Sequence, residues 1–535
     1  MRTIRLLLIT FLTIVWILIL LAYFAVQTNY GAKFISQQLS KLSSYSISIG
    51  KVNHSLANFY EISVEDLTIK DENQHVTKIA KLIIGFDKND LWQLKHFNYI
   101  VVVNGELDGS KIEQASISAN VLKLVDSTVN FSLNDGKDSL TFRQINGGIK
   151  PFNVSDQQSY QFELSSQQVS FNHFLVDKVL LQGFQREGTI YITNLGGNIN
   201  DGFFVSKLKI LADKSLDVEQ LKLNNIHVQS KDNQYFAQYL DKLPKTTFRQ
   251  LSMLNSSIQL PDYTIEKGNI ETTNIIYDKQ WHFNQSALVF NADNIVWNEK
   301  PFSSVLLQLM LKNEHDIAIE KAIGIWNQGR LSLNGDWKDN NLHIDKLLVT
   351  EIDFKLPKKI EQIVLPESLK QIDIDRLSIL KGGIINTNPD YPFNFVDFQA
   401  SGSKLRLVEN RKLGLFNGQL FVKANNGTVN KIGMIYPDFS VKFNEQHQAL
   451  LAFTALVNGG MLESNAIVNP SLDKLESLHL KAYGVSSIFL EKWKLVKQLP
   501  NASHYTLDLH GEIAPYSLSG TFFANGNRYN IEPQH

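Results

Sequence analysis

The sequence predicts an all-β body behind one N-terminal membrane-spanning helix, with few other helices, all of them short. An uninterrupted apolar run occupies residues 6–26, and no comparable run follows in a chain of 535 residues. In the rest of the chain, apolar residues recur mostly at every second position, which is the period of a strand with one buried face. Such strands are typical of an antiparallel sheet that is wetted on one side.

The N-terminal run is long enough to span a membrane. It has 21 residues without a charge, and a helix crosses the hydrocarbon core with about 20. Arg2 and Arg5 precede the run and the next cation is Lys33. Because cytoplasmic flanks carry the excess of positive charge, residues 1–5 are expected to be a cytoplasmic stub and the body to be exported.

A cleaved signal peptide is the alternative interpretation of this run. Its apolar core would be about 7–15 residues long and would end in small residues at a cleavage site. Here the run is longer, and the bulky Tyr23 and Phe24 stand near its end. The sequence therefore favours an anchor that stays in the mature protein.

A juxtamembrane amphipathic helix is expected within residues 27–43. Phe34, Ile35, Leu39 and Leu42 form one apolar stripe there, which either packs on the first strands or rests in the membrane interface. Prolines at 244, 357, 366 and 500 punctuate the other candidate helices, which lie at residues 234–244, 356–371 and 486–500.

Strand pairs are predicted where alternating segments flank turn residues, since Asx-Gly supplies the positive φ angles of a tight hairpin. The expected pairs are Val129, Phe131 and Leu133 with Leu140 and Phe142 across Asp135-Gly136, Phe522 with Tyr529 across Asn525-Gly526, and Leu331 and Leu333 with Leu342 and Ile344 across GDWKDNN.

The sequence divides into six predicted parts. They are the stub (1–5), the transmembrane anchor (6–26), the juxtamembrane helix (27–43), an N-terminal β region (44–240), a middle β region with a helical insert (241–370) and a C-terminal β region (371–535).

The composition and the motifs indicate no enzyme. With 52 basic and 53 acidic residues there is no nucleic-acid footprint, and the lack of cysteine excludes disulfides and thiol chemistry. No nucleophile, metal or phosphate-binding motif is found, so no catalytic, metal or cofactor residue is predicted. In IDID (372–375) the isoleucines are expected to face the core, which leaves Asp373 and Asp375 in water.

Several segments together carry a family resemblance. Tyr30-Gly31 follows the anchor and leads into the helix, the strand SYSISIGKV (44–52) and a segment (62–86) with acidic residues at Asp66 and Asp71. This order resembles the start of the AsmA-like family of bacterial envelope proteins, which are anchored in the inner membrane. The Gly-centred stretches 415–424 and 456–468 are similar to strands of that family's C-terminal region.

The resemblance implies a long curved antiparallel sheet that forms an apolar groove. Members of the family resemble bridge-like lipid transfer proteins, in which phospholipid tails slide along such a groove. It also implies a single-pass inner-membrane anchor, a periplasmic body and a role in outer-membrane lipid balance or assembly. The expected partners are phospholipid, the inner membrane and other envelope proteins.

Two alternatives stay open at this point. Periodicity alone fits closed β-sandwiches behind an anchor, and a tethered scaffold could bind protein partners through its sheet edges without moving lipid. If the groove exists, Leu309→Glu or Phe453→Glu is expected to block lipid binding at modest cost in stability. The candidate groove-lining residues are Val305, Leu307, Leu309, Leu311, Leu331, Leu333, Leu342, Ile344, Leu451, Phe453, Val457, Leu507 and Leu509.

Overall fold

The structure, a computed structural model, confirms the all-β class, with 69% of the chain in strands and 9% in helices. It describes residues 2–71, 75–87, 96–109, 117–133, 137–153, 159–172, 174–356, 365–389, 391–493, 495–496, 498–513 and 516–533.

The helices are α1 (Arg2–Val26), α2 (Asn29–Leu42), α3 (Ala237–Leu240) and α4 (Ile488–Lys492), with a 3-10 turn at Pro470–Leu472. In the described chain α1 alone is long and apolar enough to span a membrane, and its segment Ile9–Val26 has a mean hydropathy of 2.6.

The juxtamembrane helix is confirmed. It begins at Asn29 and is capped by Thr28, whose hydroxyl accepts a hydrogen bond from the backbone N–H of Gly31 at 3.3 Å. The other predicted helices are shorter than expected or are not seen. Of the segment 356–371, residues 357–364 lie outside the described residues and the next strand begins at Gln371.

The first fifteen strands are β1 (Ser46–Ser48), β2 (Lys51–Ser55), β3 (Asn58–Lys70), β4 (Val76–Gly85), β5 (His96–Asp108), β6 (Ser118–Leu133), β7 (Asp138–Lys150), β8 (Phe152–Asn153), β9 (Gln161–Phe171), β10 (Phe174–Arg186), β11 (Thr189–Ile199), β12 (Gly202–Ile210), β13 (Leu216–Asn224), β14 (His227–Gln229) and β15 (Thr246–Gln259).

The remaining strands are β16 (Tyr263–Tyr277), β17 (Trp281–Phe283), β18 (Ser286–Trp297), β19 (Lys300–Asn313), β20 (Asp316–Trp326), β21 (Gly329–Lys338), β22 (Asn341–Thr350), β23 (Asp353–Lys355), β24 (Gln371–Asn386), β25 (Phe393–Glu409), β26 (Lys412–Lys423), β27 (Asn426–Val429), β28 (Ile432–Phe443), β29 (Ala449–Val457), β30 (Gly460–Asn469), β31 (Lys474–Tyr483), β32 (His504–Glu512), β33 (Ser517–Ala524) and β34 (Asn527–Ile531).

The chain forms two compact units. Unit 1 comprises Met1–Val228, Tyr239–Leu254 and Ile276–Lys279, and unit 2 comprises Gln229–Gln238, Asn255–Ile275 and Gln280–His535. In each unit most paired strands are antiparallel. The pairings of the described residues include parallel ones, which are β5 with β6 and β13 with β15 in unit 1, and β22 and β23 with β24 in unit 2.

The core of unit 1 begins under α2. Ala32 and Ser36 of that helix are buried against the first strands, and their buried neighbours include Ile49 and Val52. The backbone N–H of Ile49 donates to the Ser36 hydroxyl at 2.9 Å. The helix therefore packs on the sheet through the face of Ala32 and Ser36, with Ile35 at its edge, whereas Phe34, Leu39 and Leu42 of the predicted apolar stripe are exposed.

Two of the predicted hairpin registers are confirmed and one is wrong. Val129 pairs with Phe142, and Phe522 pairs with Tyr529; Asp135-Gly136 lies outside the described residues. Leu333, however, pairs with Leu347, because β21 continues through GDWK and turns at Asp339 and Asn340, both with positive φ.

Candidate functional site

An apolar row crosses unit 2 on one face of its sheet. Directly paired residues of neighbouring strands point to the same side, so a chain of pairs defines a face. Each member of the following row is paired with the next: Phe290, Leu307, Ala322, Leu333, Leu347, Leu377, Gly402, Leu420, Val441 and Leu451.

Two further rows flank this one on the same side. Residues two apart in a strand share a face, and residues three apart do so where a β-bulge lies between them, as between Ile344 and Leu347. We call the three rows together the apolar face. One flanking row is Leu331, Val349, Ile379, Ala400, Val422, Phe439 and Phe453. The other is Leu309, Ile319, Gly335, Ile344, Ile374 and Leu405.

The structure thus brings together ten of the thirteen candidate groove residues on one face, although they come from strands far apart in the sequence. Val305 and Leu311 share β19 with Leu307 and Leu309, and Leu342 stands two residues before Ile344 on β22.

Much of this face is only partly covered. Leu311 and Ile344 are buried, whereas the other eight of these candidates keep part of their side chain accessible. Within the described residues, strands β20–β26 make extensive contacts only with their neighbours in the sheet. The part-exposed side chains of Leu333, Leu347 and Leu377 show that the described residues leave this part of the face accessible.

The face contains a cavity over β24–β29. Its volume is about 450 Å³, which lies within the range of about 300–1,000 Å³ usual for small-molecule sites. All its lining residues are apolar: Leu377, Ile379, Ile384, Phe393, Phe395, Phe398, Ala400, Leu420, Val422, Ala424, Pro437, Phe439 and Phe453. Such a lining suits a hydrocarbon chain and gives a polar ligand no partner.

The last three candidates lie in a closed core instead. Val457, Leu507 and Leu509 are buried, and they belong to a cluster that includes Phe489 and Leu490 of α4. Side chains of the segment around α4 therefore occupy the place that a ligand would take, so we no longer count these three as groove residues.

Hydrogen bonds hold this covering segment in place. The indole N–H of Trp493 donates to the backbone carbonyl of Val429 at 3.1 Å, and the Ser487 hydroxyl donates to the carbonyl of Pro500 at 2.7 Å. Phe453 lies at the edge of the closed core, where its ring centroid is 6.2 Å from that of Trp493. The apolar face thus passes from open to covered near β29.

The acidic pair of β24 lies away from the apolar face, as the sequence predicts. Ile374 is buried, Asp375 is exposed, and Asp373 receives the Nε–H of Arg406 at 2.9 Å. This hydrogen bond raises the pKa of Arg406 above its usual value; partial burial of the guanidinium acts in the opposite direction, and a second hydrogen bond to Glu409 adds to the increase. Asp373 therefore has a structural partner.

A group with potential metal ligands lies on the same outer side. His343 Nε2 is 3.5 Å from carboxylate oxygens of both Asp345 and Asp375. Sequence reasoning missed the group because the parallel pairing of β22 and β24 brings distant residues together. All three side chains are more than a third exposed, so we interpret the group as a solvated charge cluster.

We expect Asp373→Ala to lower the free energy of unfolding by about 1 kcal/mol or less, because the pair with Arg406 is partly exposed. Urea unfolding of the variant measures this, with Asp375→Ala as the matched control on the same strand. Loss of function in a stably folded Asp373→Ala protein would contradict a non-catalytic role.

The two acidic positions of the segment 62–86 also have structural roles. Asp66 adopts a left-handed φ of 53°, which Asp tolerates better than most residues. It lies against Gly50, where an added Cβ would stand 2.9 Å from the Asp66 Cβ. Asp71 accepts the backbone N–H of His75 at 2.8 Å. Both residues shape turns and bulges of the first sheet strands.

Comparison with known proteins agrees with the N-terminal pattern. No family model matches the chain. The chain is 24% identical over 485 residues to the AsmA family protein YicH of Escherichia coli (strain K12), which covers 88% of this chain and 84% of that protein. Because the match extends far beyond the N-terminal segments, it supports an AsmA-like assignment.

Proposed function

We propose, proceeding from the AsmA-like assignment of this membrane-anchored envelope protein, that it binds phospholipid by its acyl chains and passes it along the apolar face of its sheet. The observation that carries the proposal is the partly accessible apolar face of unit 2 with its hydrocarbon-lined cavity. No catalytic step is proposed.

Large exposed apolar patches mark interaction sites in soluble domains, and each methylene removed from water contributes about 0.8 kcal/mol. Acyl chains can cover a row of Leu, Val and Phe side chains at any register, because the contacts are not directional. A ligand held in this way can slide, as transport requires.

A second candidate function is an envelope scaffold that binds protein. It is favoured by β34, which in the described structure pairs with β33 alone and leaves its other edge open. Such an edge offers unpaired backbone groups to a strand of a partner. This function would leave the apolar face without lipid.

Site-specific crosslinking in cells tests the proposal. A photoreactive amino acid at Val422, which lines the cavity, should yield lipid adducts identified by mass spectrometry. The control position is Phe421, which directly precedes Val422 in β26 and is half exposed on the opposite side of the sheet. Equal lipid labelling at both positions, or protein adducts alone at Val422, would refute lipid transport along this face.

For the location we propose a single-pass inner-membrane protein with its N-terminus in the cytoplasm and its body in the periplasm. The charge asymmetry around residues 6–26 supports this orientation. The body meets the C-terminal end of the anchor, where the Tyr23 hydroxyl donates to the backbone carbonyl of His54 at 2.9 Å.

The anchor is accordingly expected to remain in the mature protein. N-terminal sequencing of membrane-extracted material should give a start at the beginning of the chain or directly after Met1. A mature N-terminus between residues 20 and 35 would show that a signal peptidase removes the helix, and the proposed anchoring would then be wrong.

A further inference from the structure

The last turns of α1 are attached to the hairpin of β2 and β3. Besides its bond to the His54 carbonyl, the Tyr23 hydroxyl lies 3.0 Å from Nδ1 of the His54 ring. The rings of Tyr23 and His54 meet edge to face, and His54 meets Phe59 in the same way, each pair with centroids 5.4 Å apart. Tyr23 itself belongs to the membrane-spanning stretch Ile9–Val26.

The direction of β2 follows from its helix contacts. The residues at the start of the β1–β2 segment contact α2, and His54 near the end of β2 contacts α1. The strand β2 therefore runs from α2 towards the membrane-spanning helix. The contacts are Ile47 with Ser40, Ile49 with Ser36 and His54 with Tyr23. The tip of the hairpin lies just beyond the last of these contacts.

The tip carries exposed apolar side chains and no charge. Leu56 and Phe59 are each 62% exposed, and the sequence from Ser55 to Phe59 is SLANF. Tyr23 stands three residues before the end of α1, about 4.5 Å inside the membrane-spanning stretch at a rise of about 1.5 Å per residue. Apolar side chains beside this position lie at the depth that interfacial segments occupy, about 5–10 Å into the headgroup and acyl boundary.

We propose that the β2–β3 hairpin inserts its tip into the lipid bilayer beside α1, with Leu56 and Phe59 among the acyl chains. The occupant of this surface is the membrane lipid itself, because the hairpin is held against a helix that the bilayer surrounds. The protein then contacts the membrane at two places, and the first strands of unit 1 start inside the interface. This inference requires that α1 spans the bilayer in the mature protein, and it does not require that the protein transfers lipid.

The lack of cysteine in the chain makes a depth measurement direct. Leu56→Cys and Phe59→Cys, each labelled with an environment-sensitive fluorophore, are reconstituted as full-length protein in vesicles of phosphatidylethanolamine and phosphatidylglycerol. Quenching by lipids with a nitroxide on the acyl chain then reports contact with the bilayer interior.

Leu175→Cys is the matched control. Leu175 is also a half-exposed leucine of unit 1. The strand pairings place β10 seven strand spacings from β2, which is about 34 Å at about 4.8 Å per spacing. We expect quenching at Leu56 and Phe59 at least several-fold stronger than at Leu175, with a blue-shifted emission at the first two positions.

Quenching at Leu56 and Phe59 that does not exceed the value at Leu175 would overturn the proposal. A further variant, Tyr23→Phe, tests whether the Tyr23 hydroxyl holds the hairpin tip in the bilayer, because it removes the hydroxyl contacts to His54. It should lower the quenching at Leu56 while the urea unfolding of the body stays unchanged. Unchanged quenching would show that these contacts do not hold the tip at this depth, which would also contradict the inference.

Discussion

Val422→Glu is expected to abolish lipid capture by the purified protein while leaving it folded. Val422 lines the apolar cavity and is only partly buried on the open face, so in the empty protein a carboxylate there can still reach water. An acyl chain in the cavity would strip that water away, and an unpaired charge in apolar surroundings costs several kcal/mol. At about 1.4 kcal/mol per factor of ten, lipid affinity should fall by at least about a hundredfold.

Phe421→Glu provides the matched control, since it adds the same charge to the same strand on the side away from the cavity. Lipid that co-purifies with each variant, quantified by mass spectrometry, gives the comparison, and thermal melting shows whether each protein is folded. Capture equal to that of the parent in a folded Val422→Glu protein would remove this residue from the lipid path. Unfolding of Val422→Glu but not of Phe421→Glu would mean that the cavity is a closed core.

A glutamate at a second position of the apolar face extends the test from lipid binding to lipid transfer. Leu309 lies on β19, and strand pairings connect its row to that of Leu405 on β25. If lipid travels along the whole face, Leu309→Glu should stop transfer although the cavity over β24–β29 is intact. Lipid can then still be bound there, so binding and passage are measured separately.

Leu507→Ala is expected to show the largest loss of stability, about 2–5 kcal/mol, without a specific effect on lipid. Leu507 is fully buried in the cluster that α4 closes, and truncation of such a side chain loses its burial and leaves a cavity. Urea unfolding of the purified protein measures the loss.

Leu307→Ala is the comparison for this core variant, because Leu307 is partly exposed on the open face. Its loss should be clearly smaller, since the removed atoms were never fully taken from water. Equal losses for the two variants would show that the open face is as well covered as the C-terminal core, and would argue against a groove. Folded Leu507→Ala protein should still capture lipid.

Local patterns predicted much of the secondary structure. The 21 uncharged residues of the anchor and the stripe of Phe34 and Leu39 were sufficient for α1 and α2. Asn525-Gly526 was sufficient for the last hairpin, since its two positive φ angles match the turn that tight hairpins need. These features depend on neighbours within a few residues, and a sequence shows such neighbours directly.

Register and parallel pairing were harder to predict. The sequence places the turn after Leu333 too early, because β21 continues beyond Gly335 through Trp337 and Lys338. His343 and Asp375 meet only because β22 and β24 pair in parallel across a long connection. No local signal marks such a pair, since the connection and not the strands decides which residues become neighbours.

By itself the sequence determined that this chain has one membrane anchor and a long series of half-apolar strands, because composition and period two are properties of each segment alone. Only the tertiary structure decided which apolar faces are covered. Leu307 and Leu507 alternate in the same way in their strands, yet one lies on an open face and the other under α4. The physical reason is that a strand presents the same apolar side to a protein layer, a lipid or an empty groove, and what covers that side comes from elsewhere in the chain or from another molecule.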